Sequence, residues 1–151
     1  AGLRVFDVEE LSTHGGSIRI YGCHSSDSRP TSLAVISLLN EENLRGMRKL
    51  ESYQTFQSRV EKIKDDLLLF LIKQKREGKK VVAYGAAAKG CTLLNFSGVT
   101  SDLLSFVCDA APSKQGKFLP GTHLPIEHPD VLKIHKPDIV LILPWNIQSE
   151  W

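Results

Sequence analysis

The sequence predicts an α/β protein: a parallel sheet with helices on both faces, preceded by a strand pair and a long helix. Short apolar runs typical of buried strands lie at residues 81–84, 103–108 and 138–143. Helical patterns separate these runs, and strands that alternate with helices form parallel sheets joined by right-handed crossovers. A long amphipathic stretch, residues 49–77, precedes the first run.

The N-terminal segment, residues 1–23, is predicted to form two antiparallel strands. Ile18 and Ile20 show the two-residue period of a half-buried strand. A two-stranded ribbon is barely stable alone in water, so this pair is expected to complete the sheet of a preceding domain. His14 lies beside two glycines in the connection. A loop histidine of this kind is a candidate ligand contact, although such residues are more often only solvated.

Residues 24–48 are predicted to form a polar linker with a short helix, and residues 49–77 the clearest helix of the chain. Gly78 is the expected C′ residue that ends this helix, after basic residues that suit the helix dipole. Apolar residues step along it by three and four positions, at Tyr53, Phe56, Val60, Ile63, Leu67 and Phe70. This stripe fits packing on the same domain better than a dimer seam, because it lasts barely three heptads.

The corner at Gly85 is the feature around which the chemistry is organised. Residues 81–84 form an apolar run, Gly85 breaks it, and residues 86–95 have the composition of a helix. A strand, a tight glycine turn and a helix place unpaired backbone N–H groups and the positive helix end beside an anion. The ligand expected at such a corner is a phosphate group.

Two phosphate-binding motifs can be compared with this corner. The P-loop motif fails because Cys91 stands where its lysine is required. The dinucleotide fingerprint is matched in part, since Gly85 and Gly90 take its outer glycine positions while Ala87 takes the middle one. Asp109 ends the next strand at the distance of the fingerprint's acid. The alternative is a plain corner in which Gly85 only makes the turn.

Ligand-facing loops are expected after the later strands, because ligands of open α/β sheets bind outside the strands' carboxyl ends. Residues 112–121 form such a loop, with Lys114 and Lys117 as candidate phosphate contacts, although solvated lysines are equally consistent. Trp145 follows the third run in the same way. The remaining expectations are a short strand within 122–126, a helix over 129–135 and a helix that begins at 147–151.

Composition excludes several classes of protein. The chain has 151 residues, 42% hydrophobic and 24% charged, with a net charge of +2, which does not indicate nucleic-acid binding. No apolar run approaches the length of a membrane span. The three cysteines are widely separated and form no Cys-x-x-Cys pair, so no metal site or disulfide framework is expected. A reducing cytoplasm is the predicted location.

Four ordered segments resemble one known family, the C-terminal domain of sugar C-methyltransferases. The most specific is Tyr-Gly-Ala-Ala-Ala-Lys-Gly-Cys-Thr-Leu-Leu-Asn at residues 84–95. The others are Thr-His-Gly-Gly-Ser with Arg19 at residues 13–19, Asp109 with the loop at 114–122, and Leu-Pro-Trp-Asn at 143–146. Members of this family act on nucleotide-linked deoxysugars with S-adenosylmethionine as methyl donor.

The resemblance implies a three-part parent protein: a zinc-binding region, an S-adenosylmethionine-binding domain, and a Rossmann-like domain that helps to hold the nucleotide sugar. Residues 1–23 then form the last strand pair of the methyltransferase domain. Residues 24–48 are the linker, and residues 49–151 form the sugar-nucleotide domain, without its C-terminal end. S-adenosylmethionine and the catalytic base belong to upstream parts, so no catalytic residue is expected in this chain, which is predicted to be inactive alone.

The resemblance implies that this chain contributes residues that bind the substrate. The backbone N–H groups at Gly85, Ala86 and Ala87 are expected to face phosphate, and lysine side chains to add charge. The resemblance also implies that Asn95 bonds a base or sugar and that His14 faces the sugar. The full predicted set is His14, Gly85, Ala86, Ala87, Lys89, Gly90, Asn95, Asp109, Lys114 and Trp145.

Two other functions stay open at this stage. One is an NAD-binding, dehydrogenase-like Rossmann domain with Asp109 on the ribose. The other is a non-catalytic interaction module that dimerises through the helix at residues 49–77. The sequence does not predict an oligomeric state.

Overall fold

The computed structural model of the chain describes residues 2–146, except for the side chain of His14. The chain forms two compact units, Ala1–Gln57 and Ser58–Trp151, which are called here the N-terminal and C-terminal units. The predicted helix start at residues 147–151 lies outside the described residues. No helix among residues 2–146 combines the length and apolar composition that crossing a membrane requires.

The N-terminal unit contains the predicted antiparallel strand pair, which the structure confirms. Strand β1 (Leu3–Leu11) pairs with β2 (Ser17–His24), and the 3-10 turn Thr13–Gly15 joins them. Helix α1 (Leu33–Leu44) packs on β1 and is longer than the short helix expected there. Ser32 supports its start as an N-cap, since its hydroxyl accepts a hydrogen bond from the Val35 N–H.

The long helix predicted at residues 49–77 is present, but it is divided into two helices. A short helix α2 (Glu51–Gln54) ends at Thr55, and α3 (Phe56–Arg76) follows. Gly78 is the C′ residue as predicted, at φ 72°. The Lys79 N–H donates to the Gln74 carbonyl and the Gly78 N–H to the Lys75 carbonyl, which is the Schellman pattern.

Only part of the apolar stripe of α3 packs against the core of its own domain. Leu67 packs against the core as predicted, beside the fully buried Leu71, whereas Ile63 and Phe70 are exposed. Successive members of the stripe lie three or four residues apart, so neighbours in the stripe point in directions that differ by about 40–60°. Val60 and Leu67 lie on the side that continues to the buried Gln74, whereas Ile63 and Phe70 lie on the other side and are exposed.

The C-terminal unit contains a four-stranded parallel sheet in the order β5-β4-β3-β6. Its elements are β3 (Val81–Tyr84), α4 (Ala88–Ser97), β4 (Val107–Cys108), β5 (Ile126–Glu127), α5 (Val131–His135) and β6 (Ile139–Ile142). Helices α3 and α4 cover one face, around Leu71, Ala83 and Leu94. Val131 and Leu132 of α5 pack with Val82 and Phe106 on the other. The predicted Rossmann-like α/β fold with helices on both faces is confirmed.

Two strands are much shorter than predicted, and β6 is shorter than its predicted run by one residue at each end. Of residues 103–108 only Val107 and Cys108 pair, because the N–H groups of Leu103 and Leu104 turn back to the Thr100 carbonyl. The strand expected within 122–126 begins only at its last residue. Before it, the Leu119 N–H donates to the Leu124 carbonyl within a tight reversal.

Candidate functional site

The candidate site lies where the strand order of the sheet reverses. Strands β4 and β5 lie on one side of β3, whereas β6 lies on the other, so the loops that follow β3 and β6 flank a topological switch point. Ligands of open α/β sheets bind in this crevice, outside the carboxyl ends of the strands. Gly85 follows β3 and Trp145 follows β6, which places both predicted residues beside the same crevice.

The glycines of the corner permit two close approaches between elements. Gly85 has φ 91°, and a Cβ there would collide with the Pro144 ring, so this position requires glycine. A Cβ on Gly90 would lie 2.6 Å from the Leu143 Cβ, so its absence lets α4 pack against the end of β6. Close helix–strand packing is the role of the last glycine in the dinucleotide fingerprint.

Asp109 is a buried acceptor within the corner. Asp109 is only 7% exposed to solvent. Its carboxylate accepts hydrogen bonds from the Ala86 N–H (2.7 Å), the Ala111 N–H (2.8 Å) and Lys114 Nζ (3.0 Å). Burial raises the pKa of Asp109, but the hydrogen bonds from Ala111, Lys114 and Ala86 together lower it by more, so its pKa lies below the ordinary value.

The predicted backbone donors are already engaged inside the protein. The Gly85 N–H donates to the Cys108 carbonyl, the Ala86 N–H to Asp109 and the Ala87 N–H to the Gly85 carbonyl. The open donors lie one step further along. Helix α4 starts without a side-chain cap. The first of its N–H groups to have a backbone acceptor is that of Cys91, which donates to the Ala87 carbonyl. Within the described chain, the N–H groups at positions 88–90 therefore have no protein acceptor.

Lys114 places a positive charge beside these open N–H groups. Its ammonium donates to the Ala86 carbonyl at 3.0 Å as well as to Asp109, and 43% of its side chain is exposed. An ammonium has three donor protons, so one is left to reach outward. Lys117 differs, because its ammonium folds back to the Ser113 carbonyl at 2.6 Å.

Asn95 ties α4 to the lysine-bearing loop. Its Nδ2 donates to the carbonyl oxygens of Cys91 (2.8 Å) and Pro120 (2.9 Å), and the Cys91 thiol donates to the same Pro120 carbonyl. Gly121 lies so close to the Asn95 amide that no side chain fits there. Both amide protons are thus engaged by the protein, and the side-chain oxygen lies against Gly121. A contact of Asn95 with a base or sugar stays a prediction.

A cavity of about 460 Å³, called here the corner cavity, opens beside the start of α4. Ala86 and Lys114 lie on its wall together with residues of α4 and of the lysine-bearing loop. Its lining is Ala86, Ala87, Ala88, Cys91, Thr92, Lys114, Leu119, Pro120 and Ile126. Its volume falls in the usual range for small-ligand sites.

Lys89 and Trp145 lie together in a second cavity, of about 510 Å³, called here the apolar cavity. Trp145 is 50% exposed. The complete lining is Val60, Ile63, Lys89, Thr92, Leu93, Phe96 and Trp145. The sequence reasoning did not select Ile63 or Phe96. Helical spacing could have identified Phe96, because it falls on the face of α4 that carries Lys89 and Thr92.

The structure brings together most of the predicted residues, but not all of them. Nine lie around the switch point or on α4 beside it: Gly85, Ala86, Ala87, Lys89, Gly90, Asn95, Asp109, Lys114 and Trp145. His14 lies in the 3-10 turn of the N-terminal unit, and its contact with a ligand stays a prediction.

Comparisons with known proteins point to one family. The family described as C-methyltransferase C-terminal domain matches residues 12–151. The C-methyltransferase NovU of Streptomyces niveus is 35% identical to this chain over 149 residues, which are 99% of the chain and 36% of that relative. The chain therefore spans about a third of the length of this relative.

Proposed function

The chain belongs to the family of C-methyltransferase C-terminal domains, and from this premise we propose that it binds the nucleotide-linked sugar of a methyl-transfer reaction. The parent enzyme transfers a methyl group from S-adenosylmethionine to a carbon of that sugar. The predicted location in a reducing cytoplasm is part of this proposal.

One observation carries the proposal: the open N–H groups at the start of α4 and the Lys114 ammonium share one corner at the switch point. Backbone N–H groups at a helix N-terminus and a lysine are complementary to a diphosphate. The corner cavity gives room beside them for the rest of the ligand. A nucleotide-linked sugar carries its diphosphate between the nucleoside and the hexose, so anchoring the diphosphate fixes both ends.

In this proposal the domain contributes position rather than chemistry. Bound S-adenosylmethionine supplies an electrophilic methyl group, and a base outside this chain removes the proton next to a carbonyl of the sugar. The corner restrains the nucleotide, which orients the reacting carbon and removes much of the entropic cost of the encounter. The chain is therefore expected to bind substrate but not to methylate it.

The corner suits a nucleotide sugar better than an adenosine cofactor such as NAD. In dinucleotide-binding folds, the acid after the second strand holds the ribose hydroxyls. Here Asp109 occupies that position, but its oxygens already accept three protein hydrogen bonds. Ala87 also stands where the contact glycine of a dinucleotide site is required. This arrangement favours the nucleotide-sugar function over the NAD-binding one.

Isothermal titration of dTDP into the 151-residue chain tests the proposal, with NAD and S-adenosylmethionine as comparators. We expect dTDP to bind and the two comparators not to bind. Lys114→Met is expected to weaken dTDP by about tenfold, since it removes one charge-assisted contact to phosphate. Lys117→Met is the matched control and is expected to change little. Binding of NAD but not of dTDP would refute the proposal.

A further inference from the structure

The apolar cavity has a shape and chemistry that the diphosphate corner does not explain. Its volume of about 510 Å³ is that of a small-ligand site. Two aromatic residues on its wall remain largely exposed, Trp145 at 50% and Phe96 at 43%, and Ile63 opposite them on α3 is 55% exposed. The Lys64 ammonium lies 5.7 Å from the centroid of the Phe96 ring, within the range of a cation–π contact.

We infer that the apolar cavity holds the aromatic base of the nucleotide, stacked against Trp145. This inference rests on the proposed function and extends it, because it assigns the nucleoside to one side of α4. Planar bases stack favourably on aromatic side chains, whichever base is present. Branched aliphatic residues such as Val60 and Ile63 supply the opposite wall.

The position of the cavity supports this assignment. Lys89, in the first turn of α4, lies at the cavity and also within the run of open N–H groups. Thr92 lines both the apolar cavity and the corner cavity. A base seated in the apolar cavity thus leaves its phosphates between the start of α4 and Lys114, and the hexose continues into the corner cavity.

The lining argues against the hexose as occupant. Lys89 and Thr92 are the polar side chains of this cavity, and the Thr92 hydroxyl already donates to the Ala88 carbonyl at 3.1 Å. Sugar hydroxyls buried here would find few partners beyond the Lys89 ammonium and the Trp145 indole N–H, so most of them would lose water without replacement, which is costly. The lining also argues against the apolar surface of a second copy, because such a partner would bury the Lys89 ammonium unpaired.

The test measures the affinity of the 151-residue chain for dTDP and for pyrophosphate, which lacks the base. Wild-type chain is expected to bind dTDP more tightly than pyrophosphate. Trp145→Ala is expected to weaken dTDP by about tenfold while pyrophosphate stays within about twofold, and Trp145→Phe is expected to restore most of the loss.

Ile63→Ala serves as a second variant, so that the test does not depend on Trp145 alone. It is expected to weaken dTDP selectively as well. Leu69→Ala is the matched control, because Leu69 is exposed on the same helix but does not line the cavity. Thermal melts of each variant verify that it is folded.

Three outcomes would overturn the inference, and they separate it from the proposed function. If Trp145→Ala and Ile63→Ala bind dTDP as tightly as wild type, the base lies elsewhere while the proposed function stands. If these variants instead lower the mass of a dimer in sedimentation, the cavity seats a second copy. If wild-type chain binds neither dTDP nor pyrophosphate, both the inference and the proposed function fail.

Discussion

At the scale of the residue, the Asp109 carboxylate is the acceptor that holds the corner together. It binds the first residue after Gly85, its own loop and Lys114 at once. A buried carboxylate is costly unless its oxygens are satisfied, and here three donors satisfy them. The same bonds set the direction of the Lys114 ammonium, so Asp109 positions a proposed ligand contact without touching the ligand.

Asp109→Asn tests this role, because it keeps the shape but loses the negative charge. The amide also directs an NH2 group at donors. We expect the free energy of unfolding to fall by about 2–3 kcal/mol in urea titrations, the scale of hydrogen bonds to a charged group. Asp138→Asn is the control, since Asp138 is exposed and accepts one N–H, that of Lys80. Equal losses in the two variants would contradict the role of Asp109.

The pH dependence of stability follows from the same carboxylate. The pKa of Asp109 is lower in the folded state than the value of about 3.9 expected when unfolded. Its contribution is therefore fully present above about pH 4 and is lost as the pH falls through the lowered folded pKa. The difference in unfolding free energy between wild type and Asp109→Asn should shrink as acid is added. A difference that grows in acid would show that the sign is wrong.

At the scale of the element, α4 and the lysine-bearing loop are joined through one side chain. Asn95→Ala removes both amide hydrogen bonds to Cys91 and Pro120. We expect a loss of about 1–2 kcal/mol of stability, measured by urea titration. Asn40→Ala, on the exposed surface of α1, is expected to be neutral or slightly stabilising because alanine favours helices. A neutral Asn95→Ala would mean that the loop holds its position without this tie.

Local sequence predicted the corner but not which of its donors are open. Gly85 and Gly90 were recognisable because a positive φ and a close helix–strand approach both demand glycine. The engaged state of the N–H groups of Ala86 and Ala87 was not, because it depends on contacts of the folded corner. The donors that remain therefore lie at the start of α4, beyond the residues predicted to face phosphate.

The α3 stripe likewise shows which features follow from the sequence pattern and which depend on tertiary contacts. Periodicity located the helix and its Gly78 end, because both are properties of the local sequence. It did not separate Leu71, which packs in the core, from Ile63, which lines the apolar cavity. That distinction depends on how α3 meets the sheet and α4, which the spacing of apolar residues alone does not specify.

At the scale of the whole molecule, a C-methyltransferase C-terminal domain has the proposed ligand site at the switch point of its parallel sheet. The resemblance in four ordered segments predicts this family from the sequence alone, and the family match confirms it. Spacing in the Gly85 corner alone left the NAD-binding alternative open. The engaged state of Asp109 is the structural feature that favours the nucleotide-sugar function over it.

The most direct test of the central claim is a titration of dTDP into ¹⁵N-labelled chain, followed by amide NMR, which a 16.8 kDa protein allows. We expect the largest shifts on the amides of residues 88–90, because these N–H groups receive the phosphate in the proposed complex. The amides of Gly85 and Ala86 should move less, since they already donate to Cys108 and Asp109. Saturable shifts confined to other parts of the chain, or no shifts at millimolar dTDP, would contradict phosphate binding at the start of α4.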